Sequence, residues 1–501
     1  MHIDARTLPN GTLLEGDLCI VGAGAAGITI AREWIGSHRK VLLLEGGGLQ
    51  YEPAMQDLYR GEIVGLPYFP LHAARLHYFG GTTGHWAGWC ATFDAIDFEK
   101  RDWVPHSGWP IRREDLDSFY VRAQPLLELG PYEFSAAAWQ RRDPALVPLP
   151  LDPRVVWTKM WQFSPPTRFG TRYRDAIFGA RNVELYTHAN VCEIEPNDAV
   201  TAVQGLRVRG LDGKEIRVRA RHYVLACCSI QNARLLLTSR LGNANDLVGR
   251  FFMEHIEMPG GHLVLAAVPT AGMKMYEMNF GVTKARGELA LHAGVQRERR
   301  MLNGTVSLEP GAPDEVAKST FQAMPPDAVA KMRESHASGA ADLPPAGGGR
   351  FFHVVSRLEQ SPNPHSRISL STERDALGMP RVKLDWRLTD LEKHSFRAFY
   401  EVLGQEFGRS GLGRVHVLDW ITSTEPGWPS TLSGGWHHMG TTRMHESPRW
   451  GVVDPSCQVH GLSNLSIAGA SVFPTGGGVN PTLTLVALSL RLSDSLKRKL
   501  A

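Results

Sequence analysis

Apolar residues come in short unbroken runs near the two ends of the chain and alternate with polar residues in its middle. In GDLCIVGAGAAGITIAREWIGSHRKVLLLEGGG, the run Leu18–Val21 is followed by glycines, an amphipathic stretch and a second run from Lys40 to Glu45. Short apolar runs bounded by turn residues predict strands buried on both faces, and the 3.6-residue repeat between them predicts a helix. The segment therefore reads as strand, turn, helix, strand. Near the other end, NLSIAGASVFPTGGGVNPTLTLVALSLRLSDSLKRKL predicts a strand Leu465–Ala468, a turn of small residues, a glycine run and a helix opening at Pro481. Proline suits a first helical position because its missing N–H would lack a partner there. Leu483, Val486, Ala487, Leu490 and Leu492 then form one apolar stripe, and the terminal KRK suits the negative end of the helix dipole.

In the middle, FFHVVSRLEQSPNPHSRISLSTERDALGMPRVKLDWRLTD predicts an antiparallel sheet with one covered face. A strand is also expected from Val183 through Val191 into HANVCEIE, and Asp212-Gly213 marks a hairpin turn. The stretch Glu334–Arg350 is small, polar and rich in proline and glycine, so it reads as a lid or a plain surface loop.

Composition narrows the class. A chain of 501 residues, 43% apolar and 21% charged, is globular and long enough for two or more domains or one large composite. With 54 basic against 51 acidic residues the net charge is +3, which argues against nucleic acid or an anionic membrane as partner and for a small ligand. The cysteines, at 19, 90, 192, 227, 228 and 457, form neither a disulfide framework nor a metal knuckle, so a reducing compartment and no metal are expected. No stretch approaches the roughly 18 apolar residues of a membrane span, and MHIDARTLPNGTLLEGD lacks the pattern of a secretory leader. A soluble, cytoplasmic protein is expected.

The chemistry starts at the first turn, Gly22-Ala23-Gly24-Ala25-Ala26-Gly27. Gly22 permits the tight bend, Gly24 lets a pyrophosphate approach the backbone at a helix N-terminus, and Gly27 lets helix and strand pack closely. Glu45, followed by Gly46, ends the second strand where a carboxylate accepts from ribose hydroxyls and repels a 2′-phosphate, which disfavours NADP. The aromatic, glycine-rich loop LHYFGGTTGHWAGWCATF, with Gly80, Gly81, Thr82, His85, Trp86 and Ala87, reads as a second wall of the cofactor site. Val191, Ala226, Gly469, Ala470, Asn480, Pro481 and Thr482 complete the expected cofactor set.

Taken in order, GAGAAG with Glu45, GGTTGHWAG, VLACCSIQNARLLLTS, VGRFFMEH, WHHMGTTRM and GVNPTLT resemble the glucose–methanol–choline (GMC) oxidoreductases. The resemblance implies FAD, oxidation of an alcohol, and an α/β fold. It also implies a Rossmann-like FAD-binding domain built from residues 1–100, 182–255 and 434–501, and a substrate-binding domain from 101–181 and 256–433 whose antiparallel sheet is backed by helices. Within the family the chain is similar to the bacterial sugar- and glycoside-oxidising branch, with pyranose oxidases, glycoside 3-oxidising enzymes and the flavin subunits of gluconate and fructose dehydrogenases; RDWVPHSGWPI and WQFSPPTRFG share that character.

Oxidising an alcohol by hydride transfer requires a base within reach of the hydroxyl, and histidine suits neutral pH. By the resemblance, His437 falls on the family's catalytic histidine and Asn480 on its partner, whereas His438 falls where relatives vary and reads as a packed neighbour. The TGHW match to pyranose oxidases leaves two readings of His85, a covalent link to the flavin or a ring that lines it. Cys227-Cys228 stand where relatives read Ala-Gly; an iron–sulfur cluster needs four ligands, so electrons are expected to leave to oxygen or a quinone-type acceptor. Arg357, Glu359, Gln360 and Asn363 are candidate sugar contacts or structural residues. The rival readings are a lyase of the hydroxynitrile type and a flavin subunit of an electron-transfer complex.

Overall fold

The computed structural model describes residues 1–269, 272–281, 283–312, 350–425 and 427–501. The excursion expected at Glu334–Arg350 lies, up to residue 349, outside them.

The first sheet is built from the apolar runs. Its parallel strands run in the order His2–Asp4, Val183–Thr187, Val41–Leu44, Leu13–Val21 and Glu215–Leu225. Leu18, Ile20, Leu42, Leu43, Val224 and Leu225 are fully buried, as strands covered on both faces require. The hairpin turns at Gly213, with φ 82°, and joins Val203–Arg209 to Glu215–Leu225. The far end of Glu215–Leu225 pairs in parallel with Leu465–Ile467, so the last strand of the chain lies one strand away from Leu13–Val21. Ala25–Glu33 packs against the C-terminal helix Thr482–Lys499, which in turn packs against Asp117–Leu126. Pro481 sits at the N-cap, one position before the helix it was expected to open.

The strand expected from Val183 to beyond Val191 is two strands. The chain leaves the parallel ladder at Thr187, turns at His188 with φ 55°, and returns at Asn190 as an antiparallel partner of Val203–Arg209. Tertiary hydrogen bonds impose the turn: His188 N–H donates to Gly47 O at 2.9 Å and Ala189 N–H to Glu45 O at 2.8 Å.

The second sheet is antiparallel, ordered Gly413–Val417, His255–Leu265, Phe351–Glu359, Gly304–Pro310, Lys284–Leu291, Val156–Phe163 and Trp89–Cys90. The helix Asp390–Arg409, opened by a capping box of Thr389 and Glu392, backs it with Phe396, Phe399, Tyr400, Leu403 and Phe407. The alternating run that starts at Phe351 does not stay in one sheet. After Glu359, Pro362 and Pro364 withhold two ladder donors, and Arg367–Arg374 and Pro380–Asp385 form a separate small sheet with Gly61–Ile63. No helix among the described residues is long and apolar enough to cross a membrane.

Candidate active site

The carboxyl ends of the parallel strands open on a cavity whose other wall is the second sheet, the edge of an α/β sheet where ligands bind. Every residue singled out above for catalysis or cofactor binding lines it, except Gly27 and Gly80. Those two stand behind the wall. A Cβ on Gly27 would lie 1.9 Å from Gly22 O, and one on Gly80 would lie 2.6 Å from Gly170 N, so both are set by backbone packed on backbone. Gly24 is the opposite case: an added Cβ would meet no atom within 4 Å and would point into open space.

Glu45 is buried and accepts from Ala23 N–H and Gly47 N–H, each at 3.0 Å, one on each oxygen. Burial pushes its carboxyl upward while those donors favour its charged form. A carboxylate has about four lone-pair sites, so these backbone donors do not exhaust its capacity to accept from a hydroxyl. The helix Ala25–Glu33 has no side-chain cap, which leaves its first N–H groups directed at the turn. The loop Gly81–Gly88 is held from behind: Arg168 Nη1 donates to the carbonyls of Thr83 and Trp86 at 2.8 Å, and Trp86 Nε1 donates to Thr167 O at 2.9 Å. His85 stacks on Trp436, with centroids 5.1 Å apart. These features fit a dinucleotide.

His437 and Asn480 meet at the far end of the cavity. Asn480 Nδ2 lies 2.9 Å from His437 Nε2, and Asn480 Oδ1 has no protein partner. His437 Nδ1 lies 3.0 Å from His255 Nδ1, and His255 Nε2 lies 2.7 Å from Gly477 O. Beneath them, Glu254 is fully buried. Its Oε2 accepts from the backbone N–H groups of His437, His255 and Gly435 at 2.9, 3.1 and 3.1 Å, and its Oε1 accepts from the Tyr68 hydroxyl. One carboxylate thus anchors the strand end and the loop that present the two histidines. Burial pushes Glu254 up to about 8, against the donors Tyr68, His437 N–H and His255 N–H, which favour its charged form.

Burial also drives His437 well below the ordinary histidine range, helped by His255, Arg357 and His438, and takes His255 down to about 4. His438 reaches the cavity, yet its ring is tied to Tyr68 at 2.9 Å, and burial lowers it to about 3.

Of the four candidate sugar contacts only Arg357 lines the cavity, its guanidinium 4.5 Å from the Trp89 ring centroid and 4.9 Å from that of Trp161. The other three are braces. Glu359 shares a strand face with Arg357 but is covered by the Gly476–Gly478 loop, pairing bidentately with Arg101 at 2.8 Å and accepting from Gly477 N–H at 3.3 Å. Gln360 Oε1 accepts from Glu254 N–H and Trp386 Nε1, and Asn363 donates to Arg387 O. Cys227 and Cys228 both line the cavity; Cys227 donates to Val21 O at 3.0 Å and burial pushes its thiol up, so it stays protonated. Among the described residues no group of three metal-ligating side chains could hold a metal ion.

Sequence reasoning missed Glu254, His255, Tyr68, Trp89 and Trp436 as parts of this site. Glu254 and His255 end the quoted motif VGRFFMEH, yet nothing local reveals that they face residues near 437.

Comparison with known proteins places the chain among flavin oxidoreductases. The family described as FAD dependent oxidoreductase matches residues 17–363, and the family described as GMC oxidoreductase matches residues 362–489. The chain is 25% identical to 2-methyl-1,2-propanediol dehydrogenase of Mycolicibacterium austroafricanum over 97% of its own length and 96% of that protein's. It is 22% identical to the large subunit of fructose dehydrogenase from Gluconobacter japonicus, over 96% and 98% respectively. Pyridoxine 4-oxidase from Mesorbium loti shares the fold at a TM-score of 0.55 and 16% identity, covering 96% of this chain and 99% of that one.

Proposed function

This chain belongs to the FAD-dependent oxidoreductases of the GMC family, and from that premise we propose that it oxidises a hydroxyl group of a sugar or glycoside with His437 as the base. The observation that carries this reading is the meeting of His437 Nε2 and Asn480 Nδ2, 2.9 Å apart, beside the cavity. When bound, FAD supplies a two-electron acceptor for the hydride of an alcohol carbon. The hydroxyl proton must leave as that hydride departs, and His437 Nε2 is placed to receive it. Asn480 holds the alcohol oxygen through its amide N–H. The uncapped N-terminus of Thr482–Lys499, at the same wall, favours negative charge developing on the cofactor.

In this reading the Gly22–Ala26 turn holds the pyrophosphate and Glu45 the ribose. Val191 would line the adenine end, and Gly81, Thr82, His85, Trp86, Ala87, Ala226, Gly469 and Ala470 would enclose the rest. Residues 1–100, 182–255 and 434–501 form the FAD-binding part, and 101–181 with 256–433 the substrate-binding part. Trp86, Trp89 and Trp436 with Arg357 give the cavity apolar faces beside a polar edge, which suits the C–H face and hydroxyl rim of a sugar ring. The full-length likeness to fructose dehydrogenase supports the sugar assignment. Oxygen or a quinone-type acceptor would take the electrons in turn. Six free cysteines support a cytoplasmic location.

The test is an anaerobic panel of sugars, glycosides and small diols added to the FAD-loaded protein. Bleaching of the oxidised flavin absorbance by a sugar or glycoside is expected; bleaching by the small diols alone overturns the substrate class, and turnover without bleaching marks a lyase. Acid precipitation separates the two readings of His85, since a covalent link keeps flavin with the pellet and a lining ring releases it.

A further inference from the structure

Three contacts link Gly477 to Asn480 through two histidine rings, and their donor and acceptor roles are not interchangeable. Gly477 O accepts only, so the His255 nitrogen 2.7 Å from it, Nε2, carries a proton. A neutral imidazole has one N–H, so His255 Nδ1 is a lone pair. The nitrogen facing it at 3.0 Å, His437 Nδ1, must therefore donate, which leaves His437 Nε2 without a proton. The Asn480 amide N–H then donates to Nε2 at 2.9 Å, and the Asn480 oxygen, which cannot donate, is left buried without a protein partner.

We propose that His255 is a positioning residue that fixes the tautomer of His437, holding Nδ1 protonated so that Nε2 keeps the lone pair, which accepts from the Asn480 amide until the substrate hydroxyl takes over that contact. The inference rests on the assignment of His437 as the base. When the O–H bond breaks, its proton goes to Nε2, and His437 then carries two N–H groups, one on the substrate oxygen and one on the His255 lone pair. Many catalytic histidines are oriented by a carboxylate; here the orienting group is a neutral ring whose far side is anchored on a carbonyl.

That carbonyl is fixed in turn, since Gly477 N–H donates to Glu359 and Glu359 is paired with Arg101. The His255 backbone is held by Glu254 Oε2. The charged and titratable groups facing His437 are His255 on the strand His255–Leu265, Arg357 on Phe351–Glu359, and His438 beside it. Glu257, which approaches the same loop at Gly435, is neutralised by Arg357 at 2.8 Å. Burial and mutual repulsion hold both rings neutral before the reaction, the state the proton assignment requires.

The experiment compares His255→Leu and His255→Asn in the FAD-loaded enzyme by anaerobic single-turnover flavin reduction across pH. Leucine removes the acceptor for His437 Nδ1–H. Asparagine places an amide oxygen near the position of Nδ1 and restores it. The leucine variant is expected to reduce flavin about 10- to 100-fold more slowly with substrate affinity little changed and a displaced pH profile, and the asparagine variant to recover most of that loss. Equal slowing in both variants with an unchanged profile, or slowing in neither, overturns the proposal.

If either variant fails to fold, 15N-histidine spectra of the unmutated holoenzyme, with His437 assigned by the peaks lost in His437→Gln, decide the matter. A proton on Nδ1 supports the proposal, and a proton on Nε2 overturns it. His437→Ala in the same reduction assay keeps the two ideas apart: if it leaves reduction unchanged, the assignment of the base fails, whatever His255 does.

Discussion

Partial burial makes a charged imidazole at His437 costly, and Arg357 with the neighbouring histidines disfavours a further positive charge, so the ring gives up affinity for protons that an exposed histidine would have. A base acts only when unprotonated. Because the shift is downward, His437 stays a base below the usual pKa of about 6.5, and the acid limb of flavin reduction is expected below that pH. A pH profile of the reductive half-reaction checks this; a limb centred at 6.5 or higher contradicts it. His437→Ala is expected to leave FAD bound and to slow flavin reduction by roughly 10²- to 10⁴-fold, the contribution of a lost acid–base group. Stopped-flow absorbance under nitrogen measures both.

At the scale of the element, the glycine turn divides its labour in a way that substitution can read. A Cβ on Gly27 meets Gly22 O at 1.9 Å, a backbone atom that cannot move without displacing the turn, whereas one on Gly24, a residue lining the cavity, meets no atom within 4 Å. Gly27→Ala is expected to destabilise the protein with or without FAD, by about 1–3 kcal/mol or more. Gly24→Ala should leave the apoprotein within about 1 kcal/mol of the parent and lower the flavin retained on purification. Thermal unfolding of both apoproteins, with the ratio of flavin to protein absorbance, distinguishes the two. Strands and helices of this kind are legible because their causes are local: apolar runs, a 3.6 repeat, a proline before a helix. The reading fails where the cause is distant. Nothing within VELYTHANVCEIE announces the bend at His188, since its hydrogen bonds come from Glu45 and Gly47.

For the molecule as a whole, the buried pair Arg101–Glu359 joins the second sheet to the loop that leads to Asn480. Both side chains are almost fully excluded from water, at 1% and 0% exposure, so removing one charge strands the other. Glu359→Gln is expected to cost about 3–5 kcal/mol. It should also slow flavin reduction while leaving substrate affinity nearly unchanged, because Glu359 touches Gly477 and not the cavity. Chemical unfolding and single-turnover reduction test the two halves of that statement, and a variant as stable as the parent would refute the first.

The same pair shows where sequence reasoning reached its limit. Glu359 looks like a sugar contact on an alternating strand, and only its partner 258 residues away makes it a brace. Local order along the chain determined the nucleotide-type turn, the strands and helix around it, and the residue types able to accept a proton or hold a ribose. Which histidine nitrogen is free, which carboxylates are structural, and how two distant histidines come to touch were decided only when Leu465–Ile467 joined the sheet beside Glu215–Leu225 and Glu254 gathered both loops. Hydrogen-bond partners so far apart along the chain leave no periodicity to read, and folding alone brings them within reach.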